Sequence, residues 1–396
     1  MKVGLFLEGF SPETGGGYTI QEDIFRALVE LIEETEHSFV LFCRQPQDFQ
    51  KYLSVRLTAI AFPGSFSERA IAKAQRSVDS FVDARKSKTR LEQLGRSAGI
   101  EFMWFVGAEA LQTDFPYLAI VWDLQHRLQP WFPEVSAEGT WRAREKFYSE
   151  YLRRATFVIV GTDAGRFEVE LFYQVTSDRI KILPHPTPAF ALNARASDPQ
   201  IIRKKYAIQD DYVFYPAQFW SHKNHVNLLL ALSQLKEKHG INLSAVFVGS
   251  DKGNREYVKL FAERLQPKVN TFFPGFVPVE DLVDLYRGAV ALTYVSFFGP
   301  ENLPPLEAFA LGCPVVAADV SGVREQLADA ALFVDPRDPS AIADALKSLR
   351  ENPDLRSQLI RNGRQRAEKW TAKDFVKGVL NTLDDFSRVR RCWGAS

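Results

Sequence analysis

Residues 289–318 read AVALTYVSFFGPENLPPLEAFALGCPVVAA. An apolar run, Ala289–Tyr294, leads through a loop to a helical pattern over 304–311 and then to a second apolar run over 314–318. Pro304 and Pro305 suit the first turn of a helix, where a missing N–H costs little. Gly312 ends the helix before the next strand. Strand, helix and strand in this order argue for a parallel sheet with both faces covered.

The same rhythm extends outward in both directions. In the second half, strands are expected at 211–216, 243–249, 270–274, 289–294, 314–318 and 331–335. Helices are expected at 223–238, 254–265, 279–287, 304–311 and 339–350. In the first half, strands are expected at 2–8, 38–43, 55–62, 102–107, 116–122, 156–160 and 179–183. There, 19–34 places Ile20, Ile24, Ala27, Leu28 and Leu31 on one helical face, and 139–154 is also helical. The rhythm breaks at Pro184-His185-Pro186-Thr187-Pro188, which can continue neither a helix nor a central strand. Residues 184–200 therefore read as an interdomain hinge. The tail 372–390 aligns Phe375, Val376, Val379, Leu380, Leu383 and Phe386, a face that must be buried. These patterns define an α/β fold with two sheets, and two such halves joined by a hinge imply a cleft. The expected domains are 1–190 and 191–370, with the tail helix at 371–396.

Composition narrows the class. The chain has 396 residues, 46% hydrophobic and 25% charged, as in ordinary globular proteins. Forty-nine basic and forty-nine acidic side chains cancel, so no global cationic field favours nucleic acid. Cys43, Cys313 and Cys392 have no CxxC spacing; they make neither a disulfide framework nor a zinc site, and they fit a reducing cytosol. The apolar run Val3–Leu7 stops at Glu8, too soon for an export signal. No apolar run is long enough for a transmembrane helix.

Four segments carry candidate chemistry. The first is the glycine-rich Ser11–Gly17, which follows a strand and precedes a helix. There Gly16 and Gly17 would let backbone N–H groups approach an anion, or the segment is a plain flexible turn. The second is Trp122-Asp123-Leu124-Gln125-His126-Arg127, at a strand's carboxyl end, where open α/β sheets present ligands; a capped turn is the bland alternative. The third is Tyr215–His225, YPAQFWSHKNH, which sets Lys223 at a helix N-terminus. A lysine there opposes the helix dipole, and a bound diphosphate would relieve the conflict; a solvated basic N-terminus is the bland alternative. The fourth is Phe297–Ala308. There the Leu303 N–H would point out of a helix start toward an anion, and Glu307, among apolar neighbours, needs a partner such as a ribose diol.

These motifs resemble the retaining GT-B glycosyltransferases of family 4 (glycosyl transferases group 1), most specifically over 211–336. The N-terminal half resembles them in layout, through its glycine-rich loop and WDLQHR strand end. The resemblance implies two Rossmann-like domains facing across a cleft, the acceptor mainly in the first and a nucleotide-sugar in the second. The C-terminal helix would cross back to the N-terminal domain. It implies a metal-independent reaction with no cofactor beyond the nucleotide-sugar co-substrate, and a UDP-hexose is the frequent donor. By position, Lys223 would hold the diphosphate and Gln218 would stand where the family commonly has arginine. Asn302 and Leu303 would offer backbone contacts to phosphate and sugar, and Glu307 would bind ribose. Gly275-Phe276-Val277 would receive the base, and Asp123 and His126 would orient acceptor or sugar hydroxyls. The family's first glutamate of E-x7-E falls at Gly299 and is absent; Glu301, two residues on, is the candidate substitute.

The implied activity is hexosyl transfer to a glycan or lipid-linked acceptor in envelope or extracellular polysaccharide synthesis. It would occur in the cytoplasm, or peripherally at the inner face of the plasma membrane. Eight Lys/Arg against four Asp/Glu over 67–97, with Arg388, Arg390, Arg391 and Trp393, read either as solvated helix faces or as a patch for anionic lipid. The alternative function is a non-catalytic nucleotide-sugar or glycan binding protein derived from a transferase. A phosphorylase or epimerase lacks a recognisable reactive set here, and an NAD enzyme lacks GxGxxG.

Overall fold

A computed structural model describes residues 1–7, 16–62, 90–108 and 110–393. The chain forms two compact units. The first holds Met1–Trp131, Val135–Pro186 and Ala372–Ser396, and the second holds Phe132–Glu134 and Thr187–Thr371. The main crossings thus fall at 186/187 and 371/372, against 190/191 and 370/371 expected from the sequence. The hinge segment is partly helical: Ala189–Leu192 forms one turn whose Ala191 is buried in the second unit's core.

The first unit contains a seven-stranded parallel sheet in the order β3-β2-β1-β4-β5-β6-β7. Its strands are β1 (Lys2–Phe6), β2 (Ser38–Cys43), β3 (Leu57–Ala61), β4 (Phe102–Phe105), β5 (Tyr117–Ile120), β6 (Phe157–Val160) and β7 (Ile180–Ile182). Every residue of β4 and β5 is buried, which is why these strands read as unbroken apolar runs rather than alternating ones. The tail helix Ala372–Arg390 packs here against the helix Gly16–Leu31. Phe386 lies 5.0 Å from the Phe102 ring, and Lys373 pairs with Glu30 at 2.7 Å.

The second unit contains a six-stranded parallel sheet in the order β10-β9-β8-β11-β12-β13. Its strands are β8 (Tyr212–Pro216), β9 (Ser244–Val248), β10 (Thr271–Gly275), β11 (Ala291–Tyr294), β12 (Val315–Ala318) and β13 (Ala331–Val334). Renumbered from one, this is the doubly wound order 3-2-1-4-5-6, which reverses direction between β8 and β11. Among the described residues, no helix is long and apolar enough to cross a membrane. The basic stretch over 67–97 lies outside the described residues up to 89. In the tail, Arg388 pairs with Asp385 at 3.2 Å, and Arg390 lies 3.8 Å from Glu101 and over the Trp393 ring.

Candidate functional site

The strand order reverses between β8 and β11, and the carboxyl ends of strands at such a reversal are where doubly wound sheets bind ligands. The loop after β8 (217–224) and the loop after β11 (295–302) are laced together there. Phe297 N donates to His222 O at 2.8 Å, and the Ser296 hydroxyl to the same oxygen at 3.3 Å. Asn224 adopts a left-handed φ of 59°, a conformation asparagine tolerates better than most residues. Its side-chain amide donates to Val295 O at 2.9 Å and to Pro336 O at 2.7 Å. One side chain therefore ties together the chain segments that follow β8, β11 and β13.

Lys223 sits in this lacing. Its ammonium donates to the Tyr294 hydroxyl at 3.1 Å, at the end of β11, and the Tyr215 hydroxyl donates to its carbonyl. The loop is braced again by Glu134, a residue of the segment Phe132–Glu134 that packs with this unit. The Glu134 Oε1 accepts from His222 N at 3.0 Å and pairs with His222 Nδ1. Burial raises the Glu134 carboxyl, but the hydrogen bonds from the His222 ring and the backbone outweigh it and hold it below its ordinary value. His225, the first residue of the helix His225–His239, is pushed down to about 3 by burial and then by the Lys223 and His222 charges. It stacks on Phe219 at 4.6 Å as a neutral ring, so it brings no second charge to the loop.

The helix Leu303–Leu311 starts from the second loop. Helix N-termini leave their first N–H groups without intrahelical partners. Here Pro304 and Pro305 have no N–H, and Asn302 N donates to the Gln326 side-chain oxygen at 3.0 Å. Gln326 also donates back to Asn302 O at 3.0 Å, a two-point clamp on one peptide. This corrects the expectation for Asn302. Its amide is already engaged within the protein. The Asn302 side chain bonds Gly299 O at 2.8 Å. Glu301 lies in the same loop, partly exposed.

Three other expected contacts look different in space. Gln218 accepts from the Trp220 indole N–H at 2.9 Å, and the Lys252 ammonium lies 5.4 Å above that indole; the Gln218 side chain thus holds an aromatic ring. Val277 has its side chain in the core, whereas its neighbour Phe276 is 67% exposed at the end of β10. Glu307 is buried, and its Oε2 accepts from the Tyr286 hydroxyl at 2.6 Å.

The remaining expected residues belong to the first unit. Residues 8–15, most of the glycine-rich loop, lie outside the described residues. Gly16 begins the first helix. A Cβ at Gly17 would come within 3.0 Å of the Trp122 ring, so the helix start sits tightly against the end of β5. Asp123 accepts from Arg144 at 2.6 Å and from Gln125 N at 2.9 Å. His126 requires a correction. It has no exposed surface, it stacks on Tyr148 at 5.5 Å, and its Nε2 faces the Tyr173 hydroxyl at 3.1 Å. Burial, then the Arg144 charge, lowers it to about 4. A neutral ring sealed in the core supports the strand end and has no surface to offer a substrate.

Sequence reasoning missed Tyr294, Asn224, Gln326, Tyr286 and Glu134. Asn224 and Tyr294 lay inside or beside the candidate motifs. Glu134 could not be found that way, because it acts on a residue 88 positions away.

Two Rossmann-like units of this kind define the GT-B class of fold. Residues 198–366 match the family model described as Glycosyl transferases group 1. The chain is 28% identical over 222 residues to O-antigen chain mannosyltransferase B of Escherichia coli, covering 56% of this chain and 58% of that one. It is 29% identical over 248 residues to a D-inositol 3-phosphate glycosyltransferase of Frankia alni, covering 59% and 60%. The chain thus spans less than two thirds of the length of these relatives. Among solved structures, a sucrose-phosphate synthase from Thermosynechococcus elongatus superposes with a TM-score of 0.71 at 17% identity, covering 99% and 100% of the two chains. Anabaena HepE in complex with UDP and glucose superposes with a TM-score of 0.69 at 14% identity, covering 97% and 100%. These structural likenesses establish the fold, and the matched family model and the named relatives support a group 1 glycosyltransferase.

Proposed function

We propose that this protein is a retaining, metal-independent glycosyltransferase. It would move a hexose from a nucleoside diphosphate sugar to a glycan or lipid-linked acceptor. The observation that carries the reading is the Lys223 ammonium, held on the Tyr294 hydroxyl at the sheet's reversal point, where the next strand's loop opens the apolar helix Leu303–Leu311. Charge develops on the diphosphate as the sugar leaves. A fixed cation and a helix N-terminus would stabilise that charge without reorganising.

In the proposed step, the bond between the sugar's anomeric carbon and the diphosphate oxygen breaks. A bond from the same carbon to the acceptor oxygen forms on the same face. The acceptor proton passes to the departing phosphate, so no protein nucleophile is needed. Glu301 and Asp123 remain the proposed polar contacts for sugar and acceptor. UDP is the favoured carrier, in keeping with the UDP and UDP-glucose complexes of Anabaena HepE. Two O-antigen chain mannosyltransferases among the relatives favour a role in surface polysaccharide synthesis. We place that work in the cytoplasm or at the inner membrane face.

The test is turnover of UDP- and GDP-hexoses by purified protein with EDTA present. Lys223→Ala should cost about 10²–10³ in rate with the fold intact. Near-wild-type transfer by that variant would sink the assignment. A second reading, a nucleotide-sugar binder without turnover, is favoured by Gly299, whose backbone excludes the side chain the family carries there. Binding of the donor with no release of nucleoside diphosphate over long incubation would select it.

A further inference from the structure

Glu307 does not stand alone in its helix. The Tyr286 hydroxyl donates to its Oε2 at 2.6 Å, and Tyr286 is itself fully buried, its ring edge-on to Phe214 of β8 at 4.8 Å. Tyr286 lies on the helix Val279–Gly288, which follows the Gly275-Phe276-Val277 turn at the end of β10. The bond therefore joins the element that follows β10 to the helix that follows β11. A glutamate side chain samples several staggered rotamers unless something selects one. A phenol at hydrogen-bond distance makes that selection, and the bond is strengthened because the acceptor is a carboxylate.

We propose that Tyr286 is a positioning residue that aims the Glu307 carboxylate at the ribose diol, so that the Tyr286–Glu307 pair sets the preference for a ribonucleotide over its 2′-deoxy form. The proposal rests on the reading of Glu307 as the ribose contact. It adds a residue that touches no ligand yet governs which sugar the nucleotide must carry. The competing account is that Tyr286 merely satisfies a buried carboxylate. In that case its loss weakens all nucleotides alike.

Isothermal titration with UDP, 2′-deoxy-UDP, GDP and 2′-deoxy-GDP separates the two accounts. The wild type should prefer the ribonucleotide of the bound base by about tenfold or more, the scale of a hydrogen bond to a charged group. In Tyr286→Phe and Glu307→Gln that ratio should shrink toward one. In Lys223→Ala both affinities should fall with the ratio preserved. Tyr286→Met is a second hydroxyl-free variant should the phenylalanine form not fold. A hydroxyl-free variant that keeps the wild-type ratio overturns the proposal, whatever its absolute affinity. A wild type that binds the ribo and deoxy forms equally overturns it too, while leaving the Lys223 phosphate grip standing. No binding of any of the four nucleotides overturns both.

Discussion

Gly299 occupies the place where the resemblance puts a glutamate, and its φ of +136° suits glycine alone. A Cβ there would sit 2.6 Å from the Asn302 Oδ1. The missing carboxylate is thus a property of the whole loop, and restoring the side chain should not restore a function. Gly299→Glu is expected to lose roughly 1–3 kcal/mol of stability from the strained backbone and to gain no turnover. A variant that melts like the wild type and transfers faster would show that the loop admits a carboxylate.

Glu168 offers a pH test at the same scale. Burial, with the Asp123 charge second, raises its carboxyl to about 7. In an unfolded chain a glutamate titrates near 4.3. Between those values the folded state holds more protons, so its stability falls as pH rises. Glu168→Gln should flatten that fall in melting temperature and exceed the wild type above the window. The gain is bounded by about 1.4 kcal/mol for each tenfold change in proton activity across the window. Parallel melting curves for the two proteins would show that this carboxyl ionises normally. Single residues were legible when their oddity was local: Lys223 opposes a helix dipole, and Glu307 interrupts an apolar helix. Gln326 was illegible, because nothing in a five-residue helix announces a partner 24 positions earlier.

Among elements, every strand expected from an apolar run is present, within the usual uncertainty of element ends. Parallel strands buried on both faces announce themselves as continuous apolar runs. The helices Asp163–Tyr173 and Pro353–Glu368 were not anticipated. The first leaves Phe167 and Leu171 largely exposed while burying Glu168, so its apolar residues trace no single inner face. The second buries only Leu359, Gly363 and Ala367. A Cβ at Gly363 would meet the Phe309 ring at 2.7 Å. Close approach to another helix orders it, and hydrophobic periodicity does not register that kind of contact.

For the whole molecule, the chain returns at its end to the unit in which it began. Phe386 packs on Phe102 of β4 and Phe157 of β6. Phe386→Ala should cost about 3–5 kcal/mol, confined to the first unit. Hydrogen exchange should then accelerate in 102–105 and 157–160 while 212–216 and 244–248 keep their protection. Equal loss of protection in both sheets would show that the units unfold as one.

The sequence by itself determined the alternation of strand and helix, the two sheets and the loops that end their strands. Each of these is written in short-range periodicity and turn chemistry. Only the tertiary structure decided that His126 is sealed in a core, that Gln326 takes the Asn302 amide, that Glu134 braces the Lys223 loop, and that Tyr286 meets Glu307. These are pairings between residues 21 to 88 positions apart in the three bonded cases, and for His126 the packing of a whole layer. The physical reason is the order in which crossovers lay parallel strands side by side. That order sets which strand ends are neighbours, and a chain read in one dimension does not contain it.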